Sequence, residues 1–182
     1  MPNAAITIAP VAPSDHDELQ AFEFANRRFF ERWVNPRPEN FYTPDGVSRA
    51  IRAAQLDAEQ DRAYQYLVRE NGLLVGRINL SQIQRLGYQS ASLGYRIGEA
   101  HNGRGIAKAA VLRVLPEAFG RHGLWRVEAT CRPENPASRR VLQSSGFQQF
   151  GHSKRCFQLN DSWFDLLHFE VHADDWPLHE RD

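Results

Sequence analysis

One stretch constrains the fold more than any other: Gly98-Glu-Ala-His-Asn-Gly103-Arg-Gly105-Ile-Ala107, set between a strand and a helix in mid-chain. Before it, Ala91-Ser-Leu-Gly-Tyr-Arg-Ile97 reads as an extended segment running into Gly98. After it, Ile106, Ala110, Val111, Val114, Leu115, Ala118 and Phe119 keep helical spacing. They define a helix from Gly103 to Arg121, which Pro116 should kink or end early. A strand that feeds directly into an amphipathic helix needs a sheet for that helix to cover. Glycines at the junction let backbone approach an anion while several N–H groups point at it, and the helix dipole adds a favourable field. Arg104 and Lys108 add positive charge nearby. The same spacing also suits a glycine-capped tight turn without a ligand. Two phosphate fingerprints are excluded: the Walker loop needs GxxxxGK followed by Ser or Thr, and the dinucleotide loop needs a third glycine where Lys108 stands.

Periodicity organises the rest. Residues 5–11 read as an opening strand. Ser14 is placed to cap a helix running to about Arg32, with Leu19, Phe22, Ala25 and Phe29 on its apolar stripe. A proline-broken loop, 33–44, carries Trp33, Phe41 and Tyr42, and Thr43 or Asp45 starts a second helix to about Asp61. Strands at 64–70 and 73–80 meet at Asn71-Gly72, a strong hairpin signal. Residues 125–131 form a further strand. Asn135-Pro136 opens a short helix that Gly146 closes, and strands near 147–157 and 163–171 bracket the turn 159–162. The order predicts a mixed α/β sheet, antiparallel in its first half, with helices on its faces.

The 182 residues suit one domain spanning 1–182. Lys and Arg number 22, as do Asp and Glu, so no basic surplus points to nucleic acid or to an anionic membrane. The N-terminus lacks the basic and apolar regions of a signal peptide, and no stretch approaches the roughly 20 apolar residues of a membrane span. A cytoplasmic address is expected. Cys131 and Cys156 read as ordinary reduced thiols. His168 and His172 share a strand face, but no third ligand has suitable spacing, so no metal is expected.

Asn102-x-x-Gly105-x-Ala107 resembles the acyl-CoA pyrophosphate loop of the GNAT acetyltransferases, Gln/Arg-x-x-Gly-x-Gly/Ala, with a conservative departure at its first position. The stretch Arg126–Cys131, then Asn135-Pro-Ala-Ser138, then Ser145-Gly-Phe147, resembles that family's second landmark beside the pantetheine arm. Asn26-Arg-Arg-Phe-Phe30 with Trp33, Leu93–Gly98, Asn160–Trp163 and Asp174-Asp-Trp176 extend the resemblance to the RimJ/RimL branch, nearer the RimJ (ribosomal-protein-alanine) type. The resemblance implies a GNAT fold of about seven mostly antiparallel strands and about four helices. It also implies acetyl-CoA as cosubstrate, with transfer to a primary amine by direct attack on the thioester.

By that resemblance, main chain at Arg96 and Ile97 receives the pantetheine amides. Asn102, Gly103, Arg104, Gly105, Ile106, Ala107 and Lys108 hold the pyrophosphate, and Asn135 and Ser138 face the arm. Ser138 is the candidate general acid, or else it merely bonds the first turn of its helix. Family members often use a tyrosine there, and none is near Ser138 in the sequence. The base is open. Relatives place a glutamate where this chain reads Lys154-Arg-Cys-Phe157, which leaves Glu99, Glu128, Glu134 and His101, each also readable as a surface charge. Glu31, Trp33, Phe41, Tyr42 and Tyr95 are expected to form the acceptor wall, with Glu31 the acid facing a cationic acceptor.

Freeing an amine of its proton at pH 7 costs about 1 kcal/mol for an α-amine and about 4.6 for Lys. A missing base therefore favours an N-terminal acceptor, such as that of a ribosomal protein. The alternatives are a small amine or antibiotic, and a catalytically silent acyl-CoA-binding module. A homodimer is compatible with any of these.

Overall fold

Left-handed backbone at Asn71 (φ 50°) and Gly72 (φ 87°) turns one strand straight back on the next, as the Asn-Gly pair predicts. The computed structural model describes residues 5–176. Its elements are β1 (Ile6–Pro10), α1 (His16–Phe30), α2 (Pro44–Glu59), β2 (Tyr64–Glu70), β3 (Leu73–Gln84), β4 (Ser90–Ile97), α3 (Ile106–Pro116), β5 (Arg126–Cys131), α4 (Pro136–Ser144), β6 (Gln148–Leu159) and β7 (Ser162–His172). The strands form a seven-stranded mixed sheet in the order β1-β2-β3-β4-β5-β7-β6.

Hairpins join β2 to β3, β3 to β4 and β6 to β7, the β1–β2 and β5–β7 pairs are antiparallel as well, and the β4–β5 pair alone is parallel because α3 carries the chain across between them. That ladder is short. It runs from Ser90↔Arg126 to Leu93↔Ala129 and stops. Beyond it, Gly94–Ile97 stays paired only with β3, while Thr130 and Cys131 stay paired only with β7. The sheet is therefore split between the C-terminal halves of β4 and β5.

Alternation along the strands sends apolar side chains to both faces. One core joins Tyr66, Val68, Ile78, Leu80, Leu93 and Ile97 to α3 residues Ala110, Val111, Val114 and Leu115. The other joins Leu67 and Leu74 to α1 and α2 through Leu19, Phe22, Phe30, Val47 and Ile51.

Several boundaries differ from expectation. Ser14 caps nothing. The residue preceding α1 is Asp15, whose carboxylate accepts the Ala12 N–H at 2.8 Å and fastens a single 3₁₀ turn instead. Helix α1 ends at Phe30 and buries Leu19, Phe22, Glu23 and Phe30, leaving Ala25 exposed. Pro116, which has no N–H to donate, ends α3, and the chain continues as one wide π-type turn over Glu117–Arg121. Among the described residues no helix is long and apolar enough to cross a membrane.

Helix α2 starts where Thr43 accepts the Gly46 N–H at 3.1 Å, with Pro44 leading the helix. A Cβ on Gly46 would lie 1.9 Å from the Asn40 carbonyl oxygen, so only glycine fits between this turn and the loop before it. Thr43→Ala is expected to cost about 1 kcal/mol and a few degrees of melting temperature. Gly46→Ala should cost clearly more, because backbone has to move. Thermal denaturation followed by circular dichroism checks the order.

Candidate active site

The split in the sheet opens a cleft of about 1300 Å³ that passes from one face to the other. Tyr95, Ile97, Ile106 and Ser138 line it on the α3–α4 side, and Phe29, Trp33, Arg37, Arg77 and Arg96 line it on the α1 side. Consecutive residues of β4 thus serve opposite faces, as pleating requires.

At one end lies the glycine loop. Gly103 (φ 75°) and Gly105 (φ 79°) adopt left-handed backbone with open space where a Cβ would stand. Asn102 donates through Nδ2 to the carbonyls of Ile97 (3.1 Å) and Gly98 (2.8 Å), and Asn26 accepts the Glu99 N–H at 2.8 Å. These bonds tie the loop to the end of β4 and to α1. The first bond of α3 runs from the Ala109 N–H to the Gly105 carbonyl at 3.0 Å. The N–H groups of Gly105, Ile106, Ala107 and Lys108 therefore find no acceptor among the described residues, and the Lys108 side chain lines the cleft beside them. Donors, helix dipole and one ammonium together suit a pyrophosphate. Arg104 contributes less than the sequence suggests. Its guanidinium turns away to Glu70 at 2.7 Å and to His101 Nδ1 at 3.2 Å, and it does not line the cleft.

In the middle, the exposed backbone edge of Gly94–Ile97 faces α4. Asn135 caps α4 by accepting the Ser138 N–H at 3.0 Å. The Ser138 hydroxyl does not bond its own helix turn; it lies 2.9 Å from the Tyr95 hydroxyl. A tyrosine thus stands beside Ser138 after all, 43 residues away in sequence and brought there by the β4–α4 crossing. Burial pushes the Tyr95 phenol up to about 12, only partly offset by its bond to Ser138. Burial likewise raises the neighbouring Cys131 thiol.

The expected base candidates are scattered. Glu99 is 60% exposed outside the cleft, 3.6 Å from Arg32. Glu128 pairs with Arg126 at 2.8 Å and Glu134 with Arg132 at 3.4 Å. His101 lines the cleft, but at the loop end, facing Arg104 and Glu70. Among the described residues no carboxylate lines the cleft.

The acceptor side differs most from expectation. Glu31 pairs with Arg27 at 2.9 Å, Phe41 is buried under Arg37 (4.0 Å to its ring), and Tyr42 packs against Arg27 (4.5 Å); none of the three lines the cleft. Trp33 does, with Phe29 and Phe30. The organising acid is Glu23 on α1, 1% exposed. It bonds Arg77 directly and lies 3.6 Å from both Arg37 and Arg96. Burial alone would raise its carboxyl, but Arg77, Arg37 and Arg96 together hold it below the usual glutamate range. A charge on the apolar stripe of α1 was the available signal for Glu23. Arg77 and Arg96, directly opposite on β3 and β4, need an anion between them, and no local pattern in the sequence joins them to Glu23.

Residues 5–148 match the acetyltransferase (GNAT) domain family. The chain is 34% identical to the probable N-acetyltransferase YjcK of Bacillus subtilis over 162 residues, 88% of this chain and 90% of that one. It is 24% identical to the [Ribosomal protein uS5]-alanine N-acetyltransferase of Escherichia coli over 173 residues, 94% and 89% of the two chains. The structure of Mycobacterium smegmatis RimJ in complex with CoA-disulfide superposes with a TM-score of 0.89 at 26% identity, covering 96% of this chain and 85% of that one. The chain belongs to the GNAT acetyltransferase family. It is an N-acetyltransferase, with the RimJ/RimL enzymes among its relatives.

Glu23 joins α1 to two strands and a loop, so removing its charge leaves three guanidiniums unbalanced. Glu23→Gln is expected to cost about 3–5 kcal/mol in urea unfolding at pH 7. Because the folded carboxyl titrates below its unfolded value of 4.5, this stabilisation is complete above that value. It fades as pH falls through the lower folded one. The gap between variant and wild type should therefore narrow in acid.

Proposed function

We propose that this enzyme transfers the acetyl group of acetyl-CoA to the α-amine of a peptide or protein N-terminus, in the cytoplasm. The observation that carries the reading is the split beside β4, with the Tyr95–Ser138 pair at its centre and an unpartnered helix N-terminus at one end. Acetyl-CoA would supply the activated acetyl group as a thioester. The pyrophosphate would rest on the N–H groups of Gly105–Lys108 and on Lys108, and the pantetheine amides on the free edge at Arg96 and Ile97. Asn135 and Ser138 would flank the arm.

The residues then have two tasks. The Tyr95 and Ser138 hydroxyls put a donor where charge gathers on the leaving sulfur. Full transfer from a phenol near 12 to a thiolate near 8.5 would be uphill by about 5 kcal/mol. Tyr95 therefore stabilises the leaving group by hydrogen bonding and passes on the proton that the amine releases. On the other side, the acceptor enters between Phe29, Trp33 and the arginines. With no carboxylate lining the cleft among the described residues, the amine must arrive largely neutral. An α-amine does so at small cost, and nearby guanidiniums lower its pKa further. A ribosomal protein is the acceptor class that the relatives' names suggest.

Acetyl-CoA is expected to raise the melting temperature, and Gly105→Glu to abolish the shift by placing a carboxylate where phosphate belongs. No shift at saturating acetyl-CoA would refute the reading. Tyr95→Phe should lower kcat by about 10²-fold with little change in KM for acetyl-CoA. The wild-type rate should rise through the amine pKa near 8 and show no fall from Tyr95 below pH 10. Steady-state thiol release across pH measures both. Peptides with free Ala, Ser or Thr N-termini should outperform lysine side chains and polyamines; turnover of small amines alone would overturn the peptide acceptor.

A further inference from the structure

The α1 side of the cleft holds more positive charge than its structure requires. Arg37, Arg77 and Arg96 surround the single carboxylate of Glu23, which among the described residues leaves two positive charges unbalanced. All three arginines line the cleft, whereas Glu23 lies behind them with 1% exposure. Arg77 also donates to the Gln65 side chain at 2.6 Å, a neutral partner that offsets none of the charge. The Arg37 Nε–H is buried without an acceptor among the described residues, while its guanidinium stacks on Phe41 at 4.0 Å and is held there. Arg96 is fixed over Phe30 at 5.2 Å. Buried donors are normally satisfied, and fixed, half-desolvated guanidiniums are the preferred receptors for carboxylates.

Position adds the second constraint. Arg96 follows Tyr95 in β4 on the opposite face, and both line the same cleft, so the arginines flank the way from the α1 side to the reacting centre. An acceptor whose amine reaches the Tyr95–Ser138 pair from that side leaves the groups behind its amine near them.

We propose that the acceptor carries a carboxylate close behind its reacting amine, received by Arg37, Arg77 and Arg96. This rests on the acetyltransferase reading above and narrows its substrate class. The carboxylate would come from an acidic side chain at the second residue of a peptide, or from the α-carboxylate of a free amino acid. Bound there, it neutralises charge that Glu23 leaves exposed. Cationic acceptors such as polyamines meet like charge instead.

The test uses the full chain with acetyl-CoA and peptides identical except at residue 2, as Ala-Asp, Ala-Asn and Ala-Lys, beside alanine and alaninamide. The Asp peptide should exceed the Asn peptide in kcat/KM by roughly ten- to hundredfold, mostly through KM, with Lys lowest, as for a hydrogen bond between charged groups. Arg37→Gln should bring the Asp-to-Asn ratio close to one, Arg37→Lys should keep part of it, and Arg37→Glu should put Lys first. A retained acetyl-CoA melting shift in each variant confirms that the fold and the donor site survive. If alanine greatly exceeds alaninamide while the peptides stay equal, the α-carboxylate is the group recognised. Equal rates in both comparisons overturn the proposal and leave acetyl transfer standing. An absent acetyl-CoA shift in the wild type would instead bring down the underlying reading.

Discussion

Everything at this site depends on a backbone ladder that stops. After Leu93 and Ala129 the strands β4 and β5 no longer pair, and main-chain groups inside a seven-stranded sheet are left facing a cleft. Such groups are costly to bury unpaired, so the gap stands where an extended, amide-bearing arm can complete it. The split also decides what else can be a neighbour. It lets Tyr95 meet Ser138 across the β4–α4 boundary, and it connects two faces that a continuous sheet would keep apart.

Those faces have opposite characters. On the α3–α4 side apolar Ile97, Ile106 and Val141 stand beside polar Asn135 and Ser138, and the wall ends in a helix N-terminus unpartnered among the described residues, which favours a thioester arm with a charged tail. On the α1 side, three guanidiniums share one buried carboxylate. The Glu23 cluster holds α1 against β3 and β4 and brings the loop at Arg37 inward, so the packing of the acceptor wall and its electrostatics have one origin. A surplus of positive charge in a half-buried place would also keep an amine entering there closer to its neutral form.

The sequence disclosed features that are local and periodic. The Asn-Gly hairpin, the glycine loop, the Asn135 cap and the stripe of α3 each lie within a few residues of one another, and their physics is short-range. The fold, with its parallel seam and mixed order, followed from the succession of these elements together with the family resemblance. What stayed hidden was non-local. Tyr95 and Ser138 are far apart in the chain, and only the crossing of β4 and α4 makes them neighbours. Glu23 lies on the apolar stripe of α1 as an apparent interruption, because three partners from separate segments are needed to make its burial tolerable. Phe41 and Tyr42 misled for the converse reason. A proline-broken loop looks too poor in core to hide aromatics, yet Arg37 and Arg27 stack on them and draw them away from the cleft. Phe29 keeps its place on the core stripe, packing partly buried against the α1–α2 core, and lines the cleft as well.

The parallel seam has a mechanical meaning as well. Antiparallel pairing joins β1–β4 into one unit and β5, β7 and β6 into another, and within the sheet the two are riveted only by the short run Ser90–Leu93 against Arg126–Ala129. Stiffness across the middle of the sheet therefore comes from few rungs, and a molecule lying along the open edge of β4 would act as an additional strand there. With the cofactor in that place, its occupancy and the rigidity of the central sheet would be coupled quantities, and the enzyme would be most firmly assembled when loaded for reaction.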